Sequence, residues 1–249
     1  MARTVAVGGK GGVGKTFVSA ILTKILRGKR RLLSIDADPS LGLTYALGFS
    51  PFNIKTIWDV REELKDIPGR KRLLRDQDAP LKEVIKREVI IKEDGFDLLV
   101  MGRSEGPGCF CSINELLRYA IESLSKEYDT VIVDCEAGLE QVNRRVLRKM
   151  DTLLLVSDPT VRGIQTANYL SRIAKEFSEN EGLRIFLVLN MVEDMEGAKM
   201  LVQKMNIPVI GYIPSDKNVK EYDLKGISLL DFPESSPSYQ AIYPISERL

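Results

Sequence analysis

The chain reads as an α/β protein: a mostly parallel, twisted sheet of about seven or eight strands, covered by helices on both faces. Three observations predict this. Short β-branched runs alternate with longer helical stretches, a pattern that lays strands in parallel with helices packed over them. The run Gly9-Lys10-Gly11-Gly12-Val13-Gly14-Lys15-Thr16 joins a strand-like stretch to a helix-like one, and G-x-x-x-x-G-K-[ST] in that setting is a phosphate-binding loop. The length, 249 residues, suits one large α/β unit, so residues 1–249 are expected to form a single domain.

The elements follow in order. The apolar stretch Thr4-Val5-Ala6-Val7 places the first strand near 5–8, and the first helix runs from the loop over 15–26. A second strand near 31–36 ends in Ile35-Asp36-Ala37-Asp38-Pro39. Residues 51–94 are the least regular, rich in charge, and read as helical insertions. A strand near 97–101 comes next. The helix over 113–126 is announced by Ser112-Ile113-Asn114-Glu115, which fits a capping box. Thr130-Val131-Ile132-Val133-Asp134 is an apolar strand ending in a carboxylate, followed by a helix over 140–149. Strands near 152–157, 185–190 and 209–213 then alternate with helices over 163–177, 195–205 and 217–225. Crossovers of this kind are right-handed and place ligands at the carboxyl ends of the strands. The last stretch, 233–249, carries Pro233, Pro237 and Pro244, unlike a basic amphipathic membrane-binding helix.

The loop residues have separate duties. Gly9, Gly11, Gly12 and Gly14 let the backbone curl so that its N–H groups, including that of Val13, point at phosphate oxygens. The helix start beneath adds partial positive charge. Lys15 is expected on the β/γ-phosphates and the Thr16 hydroxyl on Mg²⁺. Asp134, in the Walker-B position, contacts that Mg²⁺ through water. Asp36 is a second candidate for a Mg²⁺-bound water, with a plain turn and helix cap, by Asp38 or Ser40, as the alternative for Asp36-Ala37-Asp38-Pro39.

Lys10, second in the loop, sharpens the reading. The form K-G-G-V-G-K-T resembles the deviant Walker ATPases, the P-loop NTPase family of MinD, ParA and the nitrogenase iron protein. In that family the extra lysine crosses to the nucleotide of a second subunit, so the resemblance implies a homodimer closed by ATP. It also implies that Asp38, before Pro39, activates the attacking water. Lys10, Lys15 and Asp38 are thus the catalytic candidates. Cys135-Glu136-Ala137-Gly138 looks like the second switch, with the Gly138 N–H on the γ-phosphate. Asn190 is similar to the family's adenine-binding asparagine. Gly211-Tyr212-Ile213-Pro214-Ser215-Asp216 resembles the segment beside purine and ribose, with Pro214 and Asp216 as contacts. Asn190 as a turn residue and Asp216 as a helix cap remain the plain alternatives.

Cys109-Phe110-Cys111 is the second informative feature. In an extended segment, residues i and i+2 face the same way, ~6.5–7 Å apart, so both sulfurs can meet one ion. Cys111 precedes the expected helix start, whose partial positive charge favours a thiolate. With no histidine in the chain, two sulfurs leave a tetrahedral site incomplete. A two-fold dimer supplies four, a set suited to Ni²⁺, Zn²⁺, Cu⁺ or an iron–sulfur cluster. A deviant Walker loop combined with this C-x-C resembles the CooC-type nickel-insertion ATPases. It implies ATP, Mg²⁺ and Ni²⁺ or Zn²⁺ as ligands, and a nickel enzyme, carbon monoxide dehydrogenase or acetyl-CoA synthase, as client.

Two other classes compete. An electron-transfer ATPase like the nitrogenase iron protein also uses cysteines from two subunits, but far apart in sequence. A ParA- or MinD-like positioning ATPase would leave the cysteines incidental. The net charge of +1 gives no global attraction to nucleic acid or anionic membrane. No apolar run approaches the ~20 residues of a membrane span, and no signal peptide is expected. Three cysteines are too few for a disulfide scaffold, so a cytoplasmic protein with free thiols and no membrane or nucleic-acid partner is expected.

Overall fold

The computed structural model describes residues 3–64, 80–102, 111–137, 148–203 and 205–249. The strands are β1 Arg3–Gly9, β2 Leu32–Ala37, β3 Ile91–Glu93, β4 Phe96–Val100, β5 Thr130–Cys135, β6 Thr152–Ser157, β7 Arg184–Val192 and β8 Val209–Pro214. The described residues also form nine α-helices. They are α1 Lys15–Leu26, α2 Gly42–Ala46, α3 Ile57–Glu63, α4 Pro80–Glu88, α5 Cys111–Leu124, α6 Val161–Phe177, α7 Met195–Val202, α8 Lys217–Lys225 and α9 Pro237–Ser246.

The strands form one sheet in the order β3-β4-β2-β5-β1-β6-β7-β8. Every neighbouring pair is parallel except β3 with β4. The central strands are buried along their length, as parallel strands covered on both faces must be. Alternation sorts their side chains into two cores. Val131 and Val133 join the core beneath α3, α5 and α6, whereas Ile132 joins the core beneath α1 and α9. β1 lies between β5 and β6: the chain leaves it toward β2 on one side, and later crosses from β5 over to β6 on the other. The crevice at its carboxyl end is the topological switch point where α/β sheets bind ligands.

Three elements differ from expectation. β3 was read as part of a helical insertion; it is instead an antiparallel edge strand, joined to β4 by Asp94-Gly95. Gly95 has φ 81, and a Cβ there would stand 2.5 Å from the Gly28 nitrogen, which donates to the Gly95 carbonyl at 2.9 Å. α5 begins at Cys111, so Ser112 is inside the helix rather than its cap, and Cys111 does not sit in an extended segment. The proline-bearing tail forms α9, with Pro237 in the first turn, where a missing N–H costs nothing. The helix expected over 140–149 lies outside the described residues up to 147; Arg148 and Lys149 form a turn.

α9 docks against α1 and β8. Tyr239, Ile242 and Ile245 are buried, and Gly211 of β8 leaves the room that Ile245 fills. Just before it, the fully buried Phe232 meets the rings of Phe17 and Tyr222 edge-on at 5.4 and 5.1 Å. The chain end therefore braces the helix that carries the phosphate loop. Ile242→Ala is expected to cost about 2–5 kcal/mol, the usual loss for emptying a buried isoleucine site. Urea unfolding measures it, and a loss under about 0.5 kcal/mol, typical of a surface position, would mean that α9 is not part of the core.

Candidate nucleotide site

β1 delivers the chain to the loop at Gly9, and α1 starts at Lys15. Gly14, the residue before α1, has φ 86, and a side chain there would run into the Asn190 amide. Gly9 has φ 152, and a Cβ would run into the Val156 carbonyl of β6. Both positions therefore demand glycine. Lys15 is buried, and its Nζ donates to the Lys10 carbonyl at 3.3 Å. The side chain is thus folded back over the loop whose N–H groups form the phosphate cradle.

Thr16 and Ser19, one turn apart on α1, face the same way. Their hydroxyls donate to the two oxygens of Asp134, each at 2.8 Å. Asp36 is the register neighbour of Asp134 on β2. Its Oδ2 accepts from the Thr44 N–H at 2.8 Å and the Thr44 hydroxyl at 2.6 Å, and its Oδ1 accepts from the Asp38 N–H at 3.2 Å. Both carboxylates are fully buried. Burial pushes Asp36 up to about 6 against the hydrogen bonds from Thr44 and Asp38. Burial and then the nearby Asp36 push Asp134 up to about 7, with Thr16, Ser19 and Lys15 opposing. Ser19 and Thr44 were not foreseen. The helical spacing from Thr16 could have exposed Ser19; Thr44 had no comparable signal.

Thr16 and Asp134 fit a magnesium ion. Their hydroxyl and carboxylate oxygens already touch, and hard oxygen donors suit that cation. Their present hydrogen bond places both donors at one point beside the loop.

Asp38 follows β2 at the carboxyl end of the sheet. Its Oδ1 accepts from the Ser40 N–H at 2.8 Å, so it does form the plain turn that was the alternative reading. Lys10 lies at the loop's exposed edge, with its Nζ 3.7 Å from the carboxylate of Asp158, a contact within the chain. Ala137 closes on the loop from β5, 3.6 Å from where a Gly11 Cβ would stand.

Asn190, Pro214 and Asp216 come together with Gly14 around one cavity of about 230 Å³. Asn190 is buried, and its Nδ2 donates to the Val13 carbonyl at 2.8 Å. Asp216 caps α8 through the Asn218 N–H at 3.0 Å, and it accepts from the N–H and hydroxyl of Ser238 and from the Ser236 hydroxyl. Burial works against its charge, but these hydrogen bonds outweigh it and hold the carboxyl below its usual range. It is a cap and a cavity wall at once.

Gly138 and Cys109 lie outside the described residues, and of Cys111 only the backbone, opening α5, is described. Among the described residues no three His, Cys, Asp or Glu side chains are grouped to hold a metal. Cys135, read as the start of the nucleotide-facing second switch, is instead buried in the core opposite α1. Strand alternation explains this, because Asp134 faces α1 and the next residue must face away. Burial, then the neighbouring Asp134, raises its thiol pKa.

Comparison with known proteins agrees with this geometry. The CobQ/CobB/MinD/ParA nucleotide binding domain matches residues 4–229. An uncharacterized ATP-binding protein of Methanocaldococcus jannaschii is 38% identical over 98% of this chain and 97% of its own. The carbon monoxide dehydrogenase accessory protein CooC of Rhodospirillum rubrum is 26% identical, over 91% of this chain and 89% of its own. The structure of the septum site-determining protein MinD of Pyrococcus horikoshii OT3, complexed with Mg-ADP, aligns with a TM-score of 0.71. It is 25% identical and covers 100% of this chain and 96% of that one.

The two raised carboxyls have a consequence for stability. Folded, they keep their protons to a higher pH than when unfolded. Between about pH 4 and about pH 7 the folded chain therefore binds more protons, and these groups make ligand-free stability fall as pH rises. Asp134→Asn is expected to flatten that fall and to raise the denaturation midpoint at about pH 8 relative to about pH 5. Guanidinium unfolding of both proteins at the two pH values checks it. An unchanged slope would mean that Asp134 is charged without cost.

Proposed function

Because the chain belongs to the CobQ/CobB/MinD/ParA nucleotide-binding family, we propose that it is an ATPase whose Mg-ATP-closed homodimer handles a soft metal ion for a nickel enzyme. The observation that carries the ATPase reading is the phosphate loop built directly over Asp134, with Thr16 bonded to its carboxylate.

In this reading the loop N–H groups and Lys15 hold the β- and γ-phosphates, and Thr16 and Asp134 hold Mg²⁺. The ion, when bound, neutralises charge developing on the phosphoryl oxygens. Asp38 orients the attacking water, and the Gly138 N–H meets the γ-phosphate. Asp36, with both oxygens already engaged, fixes the surrounding chain more than it meets a water. Asn190 uses one N–H of its amide on the Val13 carbonyl, which leaves its second N–H and its carbonyl oxygen for a base. Lys10 leaves Asp158 to reach the nucleotide of the second subunit.

Cys109 and Cys111 of two subunits then offer four thiolates to Ni²⁺ or Zn²⁺ as cargo. The likeness to the carbon monoxide dehydrogenase accessory protein CooC supports carbon monoxide dehydrogenase as client; acetyl-CoA synthase is the other candidate, from the sequence resemblance alone. A positioning ATPase is the second reading, favoured by the likeness to MinD along the whole chain. It has no use for a soft metal ion at the cysteines.

Lys15→Ala is expected to weaken Mg-ATP binding about 10- to 100-fold, the value of a charge-assisted contact. Asp38→Ala is expected to bind ATP without turnover and to accumulate dimer. Lys10→Ala is expected to bind ATP as a monomer. Equilibrium titration and light scattering read all three, and normal ATP-driven dimerisation of Lys10→Ala would end the inter-subunit role.

The metal reading has its own test. One ion per two chains is expected, lost in Cys109→Ser and Cys111→Ser and kept in Cys135→Ser, whose thiol is buried and uncharged. Dialysis and elemental analysis decide. One metal per chain, or loss only with Cys135→Ser, overturns the shared site between subunits and weakens the nickel-handling reading; no bound soft metal at all favours the positioning reading.

A further inference from the structure

Asp36 is buried at the end of β2, yet both of its oxygens are turned to its own chain rather than left for a ligand. One accepts the Asp38 N–H, four residues before the short helix α2 opens at Gly42. The other accepts two donors from Thr44 in that helix. A single carboxylate thus ties both ends of the segment that presents Asp38. The segment needs such a tie. α2 has five residues, far too few for a helix to persist alone. Leu41 sits at φ 60, a left-handed conformation that is unfavourable for an ordinary residue. Gly42 packs on the loop as well: a Cβ there would be 3.3 Å from the Thr16 hydroxyl. A shift of α2 therefore moves the Asp38 turn, whereas the loop's own N–H groups are carried by β1 and α1.

We infer that Thr44 is a positioning residue for hydrolysis, its buried hydroxyl holding Asp36 so that the turn carrying Asp38 keeps its place beside the γ-phosphate site. Thr44 touches no reacting atom and acts through Asp36. This rests on the proposed role of Asp38. Removing the hydroxyl leaves the carboxylate oxygen with the Thr44 N–H alone and loosens the turn, while the phosphate cradle, built from β1 and α1, stays intact. The split between turnover and binding is the signature: the effect falls on kcat, not on ATP affinity.

The test is ATP turnover at saturating Mg-ATP, beside equilibrium binding of a labelled ATP analogue. Thr44→Val keeps shape and loses the donor, so kcat is expected to fall about tenfold or more, as for a hydrogen bond to a charged group. Affinity is expected to change less than about threefold. Thr44→Ser restores the hydroxyl and most of the rate. Should Thr44→Val not fold, Thr44→Cys, a weak donor of near-serine shape, is compared with Thr44→Ser instead, and the same gap in kcat is expected. Wild-type kcat in the donor-less variant, or equal losses of kcat and affinity, overturns the inference. Asp38→Ala in the same assay separates the two levels. Loss there with full rate in Thr44→Val sinks the positioning role alone, whereas full rate in Asp38→Ala sinks the catalytic reading of Asp38 and the inference with it.

Discussion

Asp36 and Asp134 end adjacent strands with their carboxyl groups buried side by side. Two like charges out of water disfavour each other and are expensive without donors. The fold answers with two different helices. α1 gives Thr16 and Ser19 to Asp134, and α2 gives Thr44 to Asp36. The phosphate loop and the turn carrying Asp38 are thereby fixed to neighbouring strands. A pair held this way is also set for a cation, since a divalent ion relieves the strain that keeps both carboxyl groups partly protonated near neutral pH.

The phosphate loop, the strand ending at Asp134 and the turn at Asp38 were legible because each is a local pattern, a few residues with fixed spacing between a strand and a helix. What was not legible depends on contacts distant in sequence. Thr44 has no motif, and its meaning appears only when α2 folds back on β2. Cys135 looked like a switch residue from its neighbours, but strand alternation turns it into the core. The Asp94-Gly95 turn was a readable hairpin signal, obscured by the charge around it. α9 was hidden by its prolines, although one of them sits where a helix start accepts it. The order of the strands, which puts β1 at the switch point, follows from crossovers that no local pattern records.

The loop edge carries the second constraint. Lys10 is paired with Asp158, a half-exposed contact at 3.7 Å, the kind worth at most about 1 kcal/mol. In the proposed dimer, so weak a hold would let the lysine exchange its partner for a phosphate of the second subunit at little cost. The fold thus combines firmly fixed in-chain groups, Lys15 and the carboxylate pair, with one loosely held cation at the rim. That division suits a nucleotide switch in which binding and dimer closure are separate events.

The most direct test of the carboxylate pair's role is the proton balance of Mg-ATP binding. Titration calorimetry with excess Mg²⁺ at about pH 6.5, in buffers of different ionisation enthalpy, counts protons exchanged per site. The account predicts net proton release, because Asp134 must ionise fully when the ion arrives, and predicts that most of it disappears in Asp134→Asn. Binding with no buffer dependence, or with the same release in the variant, would contradict it.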